Sequence, residues 1–285
     1  MEAASIAIID THIHLFDPAR PQGIPWPPKD NPVLYKPALP ARYRGIAGPL
    51  GIKGAIEVEA SPWLEDNQWV LDQAANNPII LGMVGNLEIG KPDFRQNFDR
   101  FHKNPLFLGI RCGNLWDRDL GTDMKNPEAI ANLKTLADAE LELDIANPTP
   151  ALLADVLRLK DRIPNLRIVL DHLPQIELPT GVLRELGKRP QIYAKVSEVL
   201  RRENGQVPME LSFYKPRLDE LYEIFGQDRL MYGSDWPNSD IWATYPEVLK
   251  ITRAYFADKG PAVAAKIFHK NSQAAYRWKK RSSSS

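Results

Sequence analysis

The chain has 285 residues, 44% hydrophobic and 25% charged, which is the composition of a globular protein and not of a disordered, collagenous or low-complexity one. Thirty-six basic and 36 acidic residues cancel, so no global field recruits nucleic acid or an anionic membrane. The lone Cys112 excludes an intrachain disulfide, residues 1–10 lack the basic region and apolar run of a signal peptide, and no stretch reaches the ~20 apolar residues of a membrane span; a cytoplasmic protein with one large domain is expected.

Eight short apolar or alternating runs, followed in most cases by turn formers, read as strands: 6–10, 54–59, 79–85, 106–111, 141–145, 167–171, 192–197 and 229–235. Helical patterns lie between most of them. Phe94, Phe98 and Phe101 fall at i, i+4 and i+7, one face of a helix. Asn126-Pro127-Glu128 and Thr149-Pro150 open two more, each with a capping side chain before a proline at the first helical position. Leu218, Leu221, Tyr222 and Phe225 form another stripe, Tyr245-Pro246 begins a further helix, and a last one runs over about 261–278. Strands alternating with helices predict an α/β fold with a parallel sheet, and eight repeats predict a (β/α)8 TIM barrel over 1–278, with a doubly wound sheet as the competing architecture.

Two long connections interrupt the alternation. Residues 15–50 carry nine of the 25 prolines, and residues 201–216 follow the seventh strand. Both would lie over the C-terminal face of a barrel, where functional loops gather. The tail, 279–285, is basic and then all serine and is expected to fray.

Polar residues collect at strand ends. Asp10, His12 and His14 alternate along the first strand and should share a face, with the imidazoles about 7 Å apart, able to share a metal or a substrate. Parity in the second and fifth strands sends Glu57, Glu59, Glu142 and Asp144 into the barrel, where buried charges need partners. Lys195 is one such partner, and a structural ion-pair network is the expected role of Glu57, Glu142, Asp144 and Lys195. Glu59, Arg111 and Ser197 lie nearer the rim. His172 ends strand six and Asp235 ends strand eight, facing His12 and His14 if the barrel closes; a turn cap is the alternative for Asp235. Trp26, Trp63, Trp116 and Trp236 fall after strands or in the roof loops, placed to stack on a ring-shaped ligand or to pack the loops. His102 and His269 lie on helical patterns and should face solvent. No phosphate loop, dinucleotide fingerprint, nucleophile elbow or cysteine zinc motif is present.

Together these motifs resemble the amidohydrolase superfamily: Asp10-x-His12-x-His14, Val58-Glu59-Ala60, Gly109-Ile110-Arg111, Asp171-His172, Gly233-Ser234-Asp235-Trp236-Pro237 and the closing Ile267-Phe268-His269-Lys270-Asn271. The branch it is most similar to is the amidohydrolase 2 group, which holds 2-pyrone-4,6-dicarboxylate lactonase and sugar-acid lactonases. The resemblance spans almost the whole chain. It implies a hydrolase opening a cyclic ester, with Asp235 as general base and His12, His14, His172 and Arg111 polarising the carbonyl or gripping a carboxylate. Glu59 and Trp236 would join Arg111 in binding the substrate. His12, His14 and Asp235 could hold one divalent ion, for which zinc is suited, though the lactonase branch also works without metal; no organic cofactor is implied. Strand five ends Asp144-Ile145-Ala146-Asn147 with no histidine and strand four ends in Arg111, which argues against a binuclear centre. Glu59 stands where sugar-lactonase relatives would carry a neutral amide. The implied partner is a small molecule, with self-association into a homo-oligomer left open. A metal-dependent decarboxylase of an unsaturated or aromatic acid, and a non-catalytic ligand-binding barrel, are the competing readings.

Overall fold

The computed structural model of the chain describes residues 6–281. Eight parallel strands follow one another in sequence order: β1 Ile8–Ile13, β2 Ile52–Val58, β3 Ile80–Gly85, β4 Phe107–Gly113, β5 Glu142–Ala146, β6 Arg167–Leu170, β7 Ile192–Val196 and β8 Leu230–Tyr232. Each matches one of the eight expected runs. The ring closes where β1 meets the segment beyond β8: Thr11 Oγ1 donates to the Tyr232 carbonyl at 2.7 Å, Asp235 N to His12 O at 2.8 Å, and His14 N to Trp236 O at 2.7 Å. This is a (β/α)8 barrel.

The helices are α1 Pro40–Ala47, α2 Leu64–Ala75, α3 Phe94–Phe101, α4 Leu120–Asp123, α5 Pro127–Asp138, α6 Pro150–Arg162, α7 Thr180–Gly187, α8 Leu211–Phe225, α9 Tyr245–Asp258, α10 Pro261–Ala265 and α11 Asn271–Tyr276. Their starts follow from local chemistry. Asn126 accepts from Glu128 N, Thr149 from Leu152 N, and Thr244 and Glu247 cap each other ahead of Pro246. Phe94, Phe98 and Phe101 are all buried against the sheet, at roughly 2 kcal/mol per side chain. A π-turn at Lys266–Lys270 joins α10 to α11, so the expected final helix is one continuous body with a local widening.

Three departures have physical causes. The 15–50 connection contains α1, opened by Pro40 at its first position. The second long connection is shorter than expected because α8 starts at Leu211 and carries Pro216 inside it. The third is in β1, where Asp10 pairs with Ala55 but Ile13 pairs with Glu57, three steps on one strand against two on the other. That bulge breaks the alternation. Asp10 therefore accepts from Tyr43 Oη and Tyr245 Oη (2.9 Å each), on α1 and α9, and from Ser234 N (2.8 Å) and the backbone His12 N (3.2 Å), with no hydrogen bond to the histidine rings it was expected to accompany.

At the other end, Arg281 donates to the Ile80 and Ala75 carbonyls at 2.8 and 2.9 Å. The rest of the expected frayed tail, 282–285, lies outside the described residues. Among the described residues no helix is long and apolar enough to cross a membrane. His102 and His269 are half-buried instead of facing solvent: their rings pack on Phe98 and Trp278, respectively.

Candidate active site

A cavity of about 290 Å³ opens at the C-terminal face of the barrel. His14, Glu59, Arg111, His172 and Asp235 line it, as do Trp26, Trp116, Asn147, Glu198 and Asn238. The backbone turns that deliver several of these groups are unusual. Asn147, His172, Glu198 and Asp235, after four successive strands, hold φ values of 45°, 56°, 47° and 60°. Non-glycine residues adopt that left-handed region sparingly, and its cost is characteristic of functional sites.

Asp235 sits at the centre. Its Oδ1 lies 3.1 Å from His14 Nε2 and 3.5 Å from His12 Nε2, and its Oδ2 accepts from Asn238 Nδ2 at 2.7 Å. Burial alone would raise its carboxyl, but the His172, His14 and His12 rings more than offset this and hold it well below the usual carboxylate range. His172 is the reverse case: burial pushes it down to about 4 against the opposing pull of Asp235 and Asp171. At neutral pH the site thus presents an ionised Asp235 beside a neutral His172. The His172 Nδ1 lies 2.9 Å from Ser197 Oγ, which fixes the ring.

His14 donates from Nδ1 to the Val58 carbonyl at 2.7 Å. With that proton committed, a second ring proton or a cation must join Nε2 to Asp235. Arg111 donates from Nε to Asp171 Oδ2 at 3.0 Å, and its Nη2 lies 2.9 Å from the same oxygen. Among the described residues its Nη1 has no hydrogen-bond partner, and the side chain lines the cavity.

A layer of charges lies directly beneath. Lys195, fully buried, donates to Asp144 Oδ2 and to His12 Nδ1 (3.2 Å), and its Nζ is 2.9 Å from Asp171 Oδ1. Tyr276 Oη donates to Asp144 Oδ1 at 2.9 Å. The ion-pair network expected for Asp144 and Lys195 is therefore present. Glu57 and Glu142 stand outside it: among the described residues their carboxyl oxygens lack hydrogen-bond partners, and burial pushes both well above the usual carboxylate range. Neither is the ion-paired group expected.

Three functional neighbours were missed by sequence reasoning, Asn238 beside Asp235 among them. Arg118 grips Glu59 with both arms, at 2.6 and 3.0 Å, and also donates to the Arg111 carbonyl. Glu198 shares the Asn238 amide with Asp235, accepting from it at 3.0 Å. A signal existed for Arg118 in the charged Asp117-Arg118-Asp119 run after strand four, whereas Glu198, one residue past the seventh run, carries none of its own. Trp236 is also placed differently from expectation. It is fully buried against Tyr43 and Arg42, outside the cavity wall, while Trp26 and Trp116 flank the opening. Trp63 is half-exposed, away from the cavity lining.

Groups that could hold a metal ion overlap at Asp235: His12, His14 and Asp235 form one and His172, Glu198 and Asp235 another, with His12, Asp171 and His172 a third alongside.

Residues 9–278 match the family model described as amidohydrolase, amidohydrolase 2. An L-fucono-1,5-lactonase of Burkholderia ambifaria is 29% identical over 241 residues, 81% of this chain and 80% of the relative. The crystal structure of an amidohydrolase from Burkholderia multivorans with bound zinc superposes with a TM-score of 0.82 at 21% identity, covering 96% of this chain and all of that one. A probable 2-pyrone-4,6-dicarboxylic acid hydrolase from Acinetobacter baumannii, with citric acid bound, reaches a TM-score of 0.73 at 16% identity, covering 95% of this chain and 99% of that one.

Proposed function

Because the chain belongs to the amidohydrolase 2 family, we propose that it is a lactonase, opening the cyclic ester of a sugar acid or a dicarboxylic acid. The observation that carries this reading is an ionised Asp235, an unengaged Arg111 Nη1 and a neutral His172, all lining one cavity. The B. ambifaria relative's name supports the sugar-acid side of it.

In this reaction Asp235 takes a proton from water as the water oxygen attacks the lactone carbonyl. Arg111 Nη1 and the His172 ring sit at the carbonyl oxygen, where they stabilise the negative charge that develops there. The ring C–O bond then breaks, and the proton held by Asp235 passes to the departing alkoxide. Water and lactone become one hydroxy acid, and Arg111 is placed to hold its new carboxylate. Asn238 keeps Asp235 oriented through its 2.7 Å hydrogen bond. Trp26 and Trp116 give the substrate ring apolar faces. Arg118 offsets the charge of Glu59, leaving carboxylate oxygens that suit substrate hydroxyls.

The residues also fit a divalent cation, since His14 Nε2 and Asp235 Oδ1 face each other across 3.1 Å. His14 and Asp235, with His172 or Glu198 completing the set, would hold the ion, and nitrogen and oxygen donors suit zinc. Bound there, it would supply Lewis-acid polarisation of the carbonyl.

The test is a pH-indicator assay over sugar-acid and dicarboxylate lactones, with and without chelator, on wild type and Asp235→Asn. Hydrolysis by wild type alone is the expected result. Equal turnover by Asp235→Asn would remove the base from the reading. Carbon dioxide release from an aromatic acid by a metal-loaded protein inert to lactones would replace it with decarboxylation.

A further inference from the structure

The three-ligand set His12, His14 and Asp235 satisfies distance alone, yet the His12 ring has a second neighbour. A lysine ammonium has three N–H donors and no lone pair, so in the 3.2 Å contact between Lys195 Nζ and His12 Nδ1 the imidazole nitrogen must accept. A neutral imidazole that accepts at one nitrogen carries its proton on the other. His12 Nε2 therefore bears the hydrogen, and it lies 3.5 Å from Asp235 Oδ1. A nitrogen in that state cannot ligate a metal.

We propose that Lys195 is a positioning residue that fixes the tautomer of His12, turning its Nε2–H toward Asp235 and withholding that nitrogen from any metal bound at the cavity. His14 is oriented the opposite way, its proton on Nδ1 and given to Val58. The two histidines of the strand-end motif thus have different jobs although they are two residues apart. The competing arrangement has His12 Nδ1 donate to Asp171 Oδ1, 3.5 Å away. That distance equals the one from His12 Nε2 to Asp235 Oδ1, and among the described residues neither His12 Nε2 nor Asp171 Oδ1 has a hydrogen-bond partner, so the 3.2 Å contact with Lys195 is what separates the two arrangements. Lys195 is well placed to impose its choice. Asp144, itself held by Tyr276, and Asp171 flank the ammonium, and no part of it reaches solvent.

The inference concerns the site of the proposed lactonase, but its test does not read lactone turnover. Nitrogen-15 NMR of the histidine rings in the wild-type chain, with the His12 signals assigned by comparison with His12→Gln, reports which nitrogen is protonated. His12 with Nε2 protonated and Nδ1 as acceptor is expected, with no coordination shift at His12 Nε2 when zinc is added. Protonation at Nδ1, or a zinc-induced shift at His12 Nε2, overturns the proposal. Lys195→Met combined with Asp144→Asn removes the ammonium and one carboxylate together. In that variant the His12 proton should move to Nδ1 and zinc affinity, measured by calorimetry, should rise about tenfold or more, the usual scale of an outer-shell effect. An unchanged His12 tautomer in the folded variant also overturns it; if the variant does not fold, the wild-type spectrum decides alone.

Discussion

The cavity wall and the layer beneath it are made from the same residue types, and they differ in what is left over. In the lower layer Lys195, Asp144 and Asp171 are spent on one another and on His12, Arg111 and Tyr276. One level higher, Arg111 keeps an arm in the cavity, and His14 meets Asp235 with a lone pair still to be satisfied. A buried charge balanced by opposite charges of the protein and facing no cavity is structural. One with a donor or acceptor unspent and aimed at a cavity is available for chemistry.

Five substitutions would break or sharpen that division. Asp235→Asn, in the upper layer, should lower kcat by about 10³-fold while leaving the melting temperature nearly unchanged; initial rates and a thermal scan check both. Lys195→Ala, in the lower layer, should destabilise by about 3–5 kcal/mol, because it leaves Asp144 and Asp171 buried without their cation. Urea unfolding measures this, and a loss below 1 kcal/mol would mean that the layer is not held by pairing. His172 belongs to the upper layer and should make stability depend on pH. Its folded value of about 4 lies below the unfolded 6.5, so the unfolded chain binds the extra proton in that window. Stability therefore falls as pH drops from about 6.5 to about 4, by roughly 3 kcal/mol in all, and His172→Asn should flatten that slope. The smallest effect is expected at Glu57, which has no cation to lose. Glu57→Gln should change stability by about 1 kcal/mol or less, whereas Asp144→Asn should cost clearly more. Similar losses in the two would erase the distinction between paired and unpaired buried acids.

Much of this was legible because it is local. Period-2 runs and capping residues locate all eight strands and most helices, and parity alone sends Glu57, Glu59, Glu142 and Asp144 inward. His14, His172, Arg111 and Asp235 are recognisable as strand-end polar residues. What was not legible depends on geometry between distant segments. The bulge in β1 detaches Asp10 from His12 and His14, and nothing in a six-residue stretch announces it. Glu198 becomes part of the site only because Asn238, 40 positions on, bridges it to Asp235. Parity likewise says that Glu57 and Lys195 both point inward but not that Lys195 reaches Asp144, Asp171 and His12 and leaves Glu57 unpaired. Trp236 follows a catalytic-type aspartate in sequence, yet its ring turns back onto α1 and is lost to the cavity.

The left-handed turns at Asn147, His172, Glu198 and Asp235 have a consequence for anyone who would engineer or evolve this barrel. Glycine occupies that backbone region without steric penalty, so glycine at each of these sites would relax the turn while deleting the side chain that the turn presents. Selection for heat tolerance alone would therefore have a route to gain robustness here by dismantling the cavity wall. A library screened only for survival should drift toward inactive barrels at these four positions, and a paired selection for turnover is needed to keep them.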